Sequence, residues 1–267
     1  MKIPTLLFFL IYPCLIACEK VIDVKLKDSE AMYIIEGEIT DAAGPHLVRV
    51  SRSKNFSDVN GYTAESGAHV ILFDLTDGTS EKLKESGPGV YKTFFSKGKR
   101  GHQYRLEVNA GGRLFTATSV MPKINVRLEQ LYTQTSDYIK DNIYVVPVYK
   151  DPDGTGNYYL LRQYVNGKFI PVTVARSDEA TDGNRMMQAL TYRIDEKNDR
   201  WRIKVGDKLK VTLQCVDKGV YDYFRTFENT STFNSSNPSN PLTNFSGGAL
   251  GVFNASTISV MEATVQP

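Results

Sequence analysis

Met32-Tyr-Ile-Ile-Glu-Gly-Glu-Ile39 and, beyond a turn, His46-Leu-Val-Arg-Val-Ser51 place apolar side chains at nearly every second position. Successive side chains of a strand point to opposite faces, so this spacing predicts half-buried strands and not a helix. The same texture returns at 68–75, 90–94, 104–108 and 114–120, each rich in β-branched or aromatic residues. Turn signals separate these runs: 41–45, Asp77-Gly78, Gly87-Pro88-Gly89, 98–101 and Gly111-Gly112. Six or seven short antiparallel strands within about 95 residues predict an immunoglobulin-like or transthyretin-like sandwich over 31–122. Met121-Pro122 closes it, because proline does not continue a central strand.

A second series of strands follows at 126–132, 143–149, 158–165, 168–174, 190–195 and 208–216. Asn166-Gly167 joins two of them as a hairpin turn, and 175–185 reads as a polar loop. The period then changes. Val220, Phe224 and Phe227 stand at i, i+4 and i+7 with Tyr221 and Tyr223 beside them, which predicts one helix over 218–229 capped by Asp217. A loop rich in Asn, Ser and Pro (230–246) and Gly247-Gly248 lead into closing strands that run to Val265. The fold class is therefore mainly β: the N-terminal sandwich plus a C-terminal antiparallel β domain with one helix over 123–267.

Upstream of both domains, an apolar run after Met1-Lys2 ends in Leu15-Ile16-Ala17-Cys18. A positive start, a short apolar segment and a small residue before cysteine make a secretory signal of the lipoprotein type over 1–17. The run carries Pro4 and Pro13 and meets Glu19-Lys20 at once, so it is too short to cross a bilayer as a helix. Cys18 becomes the first mature residue and the lipidation site, with two or three acyl chains holding it to a membrane. Residues 18–30 form a tether. The expected location is the outer membrane, on its periplasmic face or at the cell surface.

The chain has 267 residues, with Lys and Arg numbering 32 against 30 Asp and Glu. Such balance argues against nucleic acid, which demands clustered cations to release counterions. The basic groups Lys82/Lys84, Lys97/Lys99/Arg100 and Lys204/Lys208/Lys210 read as solvent faces of strands and turns. Of the three cysteines, Cys14 leaves with the signal and Cys18 is acylated. Cys215, within an alternating strand pattern, is then a packed small residue without a disulfide partner.

The residues that could carry chemistry do not assemble into a recognisable reaction centre. Asp151-Pro-Asp-Gly-Thr-Gly-Asn157 begins like a calcium loop, but its twelfth position is Arg162 and its flanks are strands, so it reads as a turn. His46, His69 and His102 form no two-histidine motif, and a Gly-x-Ser-x-Gly elbow and a phosphate loop are absent from the sequence. Ser51-Arg-Ser-Lys54 matches Ser-x-x-Lys formally, yet it ends a strand where that chemistry needs a helix start. The reading is a protein that is not an enzyme, with no cofactor and no metal. The 15 Tyr and 13 Phe against one Trp fill β cores or line a contact surface. Contact candidates sit in the long loops: Phe56 and Tyr62 in 53–67, Phe233 and Phe245 in 230–246.

Several of these segments resemble a known family. Asn157-Tyr158-Tyr159 after an Asp-Pro turn, Asp217-Lys-Gly-Val-Tyr-Asp-Tyr-Phe224 and the run from Asn240 to Ala255 are similar to the Bacteroidetes lipoprotein family called domain of unknown function 4249. The openings Cys18-Glu-Lys-Val-Ile-Asp-Val24 and Ile34-Ile-Glu-Gly-Glu-Ile-Thr-Asp41 agree with it, whereas Val252 stands where an aromatic is common. The resemblance implies a cell-envelope lipoprotein encoded beside TonB-dependent outer-membrane receptors, and it brings no catalytic motif. The expected function is an accessory or ligand-capturing component of a TonB-dependent transport system, partnered by such a receptor and by the membrane. A structural or adhesion module at the surface, or a hydrolase with an unrecognised site, are the alternatives.

Overall fold

The computed structural model describes residues 31–54, 62–135, 142–192, 201–231 and 240–266. Along the first half run β1 (Tyr33–Thr40), β2 (Leu47–Arg52), β3 (Thr63–Ala64), β4 (His69–Asp74), β5 (Thr79–Lys82), β6 (Lys84–Gly87), β7 (Val90–Lys92), β8 (Gln103–Ala110) and β9 (Arg113–Val120). The second half supplies β10 (Leu128–Thr135), β11 (Ile143–Lys150), β12 (Tyr158–Val165), β13 (Lys168–Ser177), β14 (Arg185–Met187), β15 (Lys208–Val216), helix α1 (Lys218–Ser231) and β16 (Leu250–Thr264).

These strands make three sheets. The largest has nine strands in the order β13-β12-β15-β16-β1-β2-β7-β6, with β3 paired to β2. A four-stranded sheet β5-β4-β8-β9 and a three-stranded sheet β10-β11-β14 accompany it. Ala31–Pro267 form one compact unit. The first core takes in Phe245, Ala249, Phe253 and Ala255 from beyond 122 as well as residues of the first half, and one sheet runs through both halves. Its spine is β16, which pairs parallel with β1 from Leu250 to Ser256 and antiparallel with β15 from Thr257 to Thr264.

Alternation explains the layers. On β1, Tyr33, Ile35 and Ile39 point into a core shared with Leu106, Val108 and Phe115 of the four-stranded sheet, so the first half is a sandwich. On β12, Tyr159 and Leu161 enter a second core with Val145 and Tyr149 of β11, while Leu160 faces the other way. That other face is covered by α1, whose Val220, Tyr221 and Tyr223 pack on Leu160, Ala175, Val216 and Val252. The apolar stripe read from the helical spacing is thus the buried one, although Phe227 at its C-terminal end is 48% exposed.

Two local devices set the register. Asn166 and Gly167 both have positive φ, 50° and 77°, which is the requirement of the two-residue turn that joins β12 to β13. In β16, Gly251 has φ 100°, and a Cβ there would lie 2.0 Å from the carbonyl oxygen of Ile35. Only glycine lets β1 approach at that point.

The expected helix over 218–229 is present with its cap: Val220 N–H donates to Asp217 Oδ1 at 2.9 Å. Other expectations need correction. β3, β5, β6 and β14 lie outside the expected strands; of the strand expected over 190–195, Leu190 makes an isolated bridge to Val145, and 193–195 lie outside the described residues. The run 90–94 stops at Lys92, leaving Phe94 outside the strand. The 175–185 segment is not all loop, since β13 runs through Ser177 and β14 begins at Arg185, with fully buried Asp178 after the first.

Candidate functional site

The face of the nine-stranded sheet that carries α1 is only part covered. Beyond the helix lies a cleft of about 650 Å³ lined by residues of β1, β2, β12, β13, β16 and α1. That volume suits a small ligand. Its floor is built around Arg162 of β12. The guanidinium pairs with Glu38 of β1, Nη1 to Oε2 2.9 Å, donates through Nε to Thr173 Oγ1 of β13 at 3.3 Å, and sits 5.4 Å from the Phe224 ring centroid of α1. Three elements therefore hold one cation in place, so little side-chain entropy is left to lose on binding.

Glu38 also accepts from Asn254 Nδ2 of β16 at 3.2 Å. Burial alone would raise its pKa, but the charge and hydrogen bonds of Arg162, with those of neighbouring amides, prevail and hold it below the usual value. One wall is aromatic: Tyr164 and Phe169 meet at 5.4 Å across the β12–β13 hairpin. At the other side His46, 8% exposed, lines the cleft with Nε2 lacking a hydrogen-bond partner. Burial lowers the His46 pKa against the opposing pull of Glu38 and Glu81, so the ring is neutral at pH 7. Beneath the floor Asn254 Oδ1 and Gln214 Oε1 are also without partners, on side chains 2% and 1% exposed. Buried acceptors of this kind cost free energy unless a donor or water reaches them.

Two groups have the spacing to offer ligand atoms to a cation: the carboxylates of Asp151, Asp178 and Asp182, and those of Asp74 and Asp77 with a ring nitrogen of His102. In the first, each carboxylate already accepts main-chain N–H groups. Asp178 takes those of Gly156 and Asn157, Asp151 that of Gly183, and Asp182 that of Gly154. The group thus clasps 151–157 against 178–184, the turn read from the sequence. In the second, His102 Nδ1 lies 2.9 Å from Asp74 and Lys99 pairs with Asp77. Cys215 is 1% exposed and burial pushes its thiol pKa up, as fits a packed residue.

Of the contact residues read from the sequence, Tyr62 is 72% exposed. Phe245 is 7% exposed and packs in the first core, where it bridges Ala117 of β9, so its ring fills space and is not presented. Cys18, Phe56 and Phe233 lie outside the described residues. The residues that shape the cleft, Glu38 and Arg162, were not singled out. They are 124 positions apart, and no short-range spacing links them.

Residues 19–261 match the family described as Domain of unknown function (DUF4249). The chain belongs to this family. Membership in DUF4249 agrees with the resemblance carried by the Asn240–Ala255 run, of which Val252 is a wall of the cleft. No curated protein is detectably similar in sequence. Among solved structures, a two fibronectin type-III domain segment from chicken tenascin is similar at 11% identity, over 70% of this chain and 92% of that one, with a TM-score of 0.23.

Proposed function

We propose that the protein is a non-catalytic cell-envelope lipoprotein, acylated at Cys18, that captures a ligand in the cleft above Arg162 as an accessory component of a TonB-dependent outer-membrane transport system. The observation that carries the capture role is the preorganised Arg162, held by Glu38, Thr173 and Phe224 at the foot of an aromatic-walled cleft. A structural ion pair needs no open cleft above it. His46, whose Nε2 has no hydrogen-bond partner, lines the same cleft and adds to the reading, since a polar guest or its waters would meet it there. The anchor and the transport setting rest on the Ala17-Cys18 junction and on the family resemblance of the opening segment.

The test is retention. Full-length protein is taken from its native envelope in mild detergent, and small molecules freed on denaturation are identified by mass spectrometry. The wild type is expected to release a compound that Arg162→Ala and Tyr164→Ala do not carry. A wild type that carries nothing, even after incubation with envelope extract, refutes the capture role.

A further inference from the structure

Phe94 and Phe95 are adjacent and both exposed, at 62% and 77%. An isolated exposed ring is common; two in sequence on a fixed loop are not. Glu81 of β5, only 3% exposed, turns its carboxylate onto the loop and accepts the main-chain N–H groups of Phe94, Phe95 and Ser96 together with the Ser96 hydroxyl. Burial would raise its pKa, but these donors hold it below the ordinary 4.5, so it stays charged at neutral pH. The loop is pinned at both ends as well, Thr93 N–H to His46 O at 3.0 Å and Gly98 N–H to Thr40 O at 2.9 Å. A buried charge is thus committed to holding two aromatic rings out into solvent.

The surroundings define what the rings meet. Ala43 and Pro45, both exposed, share a depression with them and widen the apolar tip. The acidic side chains that share a depression or a hydrogen bond with the loop are Asp41, Asp74 and Glu81. All are spent: Asp41 on Arg100, Asp74 on His102, Glu81 on the loop itself. Lys92 of β7 and Lys97 of the loop, which share the depression of Ala43 and Pro45, are in no ion pair among the described residues. An apolar aromatic tip flanked by Lys92 and Lys97 is complementary to a bilayer with anionic headgroups, into whose boundary region the rings sink while the lysines stay at the charged surface.

We propose that the Phe94–Phe95 loop is a membrane-contact tip that rests on anionic lipid. Pro45 belongs to both the tip depression and the cleft wall, so this contact sets the cleft mouth beside the bilayer. The contact goes beyond the capture role and does not depend on acylation of Cys18.

Phe94→Trp and Phe95→Trp, each in the full-length chain, are added to vesicles of phosphatidylcholine with and without phosphatidylglycerol, and the bound protein is isolated by flotation. The wild type, with its single Trp201, gives the background. Expected are a blue shift and quenching by acyl-brominated lipid at both positions in anionic vesicles, each weaker without phosphatidylglycerol and weaker in Lys92→Glu/Lys97→Glu. Tyr62→Trp, in a different loop, is expected to stay unquenched. Floated protein in which the indoles introduced at positions 94 and 95 keep the emission of a solvated ring overturns the proposal while leaving an acyl anchor standing. A shift produced only by added envelope protein also overturns it, in favour of a protein docking site.

Discussion

Asp217→Ala is expected to lower stability by about 3 kcal/mol, because that carboxylate serves two elements at once. Its Oδ1 caps α1 through Val220 N–H, a contribution of about 1 kcal/mol. Its Oδ2 accepts from the Ser119 hydroxyl and from Val120 N–H of β9. Ser119 is 1% exposed and in turn accepts the N–H of Ala255 in β16, so removal of the carboxylate strands a buried donor, at a cost of about 1–3 kcal/mol. For a chain of this size each kcal/mol moves Tm by about 2–4 °C, and the sum places the loss near 9 °C. Thermal and urea unfolding followed by circular dichroism measure it. Asp217→Asn keeps a capping oxygen but turns an amide toward the donors of β9, so it should fall between the two. An alanine variant within about 1 kcal/mol of wild type would show that α1 and β9 are not joined through this group, and the relay from Asp217 through Ser119 to β16 would be wrong.

Other consequences are equally direct. Gly251→Ala must displace the backbone of β1, since its Cβ would sit 2.0 Å from Ile35 O with φ at 100°; destabilisation of about 2 kcal/mol or more is expected by urea titration, and a neutral outcome contradicts the β1–β16 pairing. Glu38, Asp74 and Glu81 have lowered pKa values, so their stabilisation is full above the ordinary carboxylate range and is lost as pH falls through that range toward the lowered values. Glu81→Gln should therefore be less stable than wild type at pH 7 and show a flatter loss below about pH 4.5; parallel acid limbs count against the clamp on the Phe94–Phe95 loop. Cys215 should resist iodoacetamide in the native protein and react on unfolding, as peptide mapping will read; ready native labelling contradicts its burial.

How much of this was legible follows from the range of each interaction. The β12–β13 hairpin was readable because Asn166-Gly167 satisfies a backbone requirement within two residues. The helix and its cap were readable because Asp217, Val220 and Phe224 act within two turns. β5 was hidden because the side chain it sends inward is Glu81, so Thr79-Ser-Glu-Lys82 lacks the apolar alternation of a strand. The same residue explains why the exposure of Phe94 and Phe95 was hidden: nothing nearby in sequence shows that a carboxylate 13 positions upstream will clamp them outward. The parallel pairing of Ile34 with Leu250 and the Glu38–Arg162 floor both depend on register between distant segments, which periodicity does not encode. Phe245 stands in a polar loop, but its ring turns inward to fill the sandwich, which the loop's composition does not reveal.

Whether this DUF4249 protein works as an envelope partner of a transport receptor is tested most directly by mild-detergent affinity purification of the tagged, full-length protein from its native envelope, with quantitative mass spectrometry of the eluate. A TonB-dependent β-barrel receptor recovered in stoichiometric amount is the predicted result. Recovery of the protein alone, under conditions where known receptor complexes of that envelope survive, contradicts it.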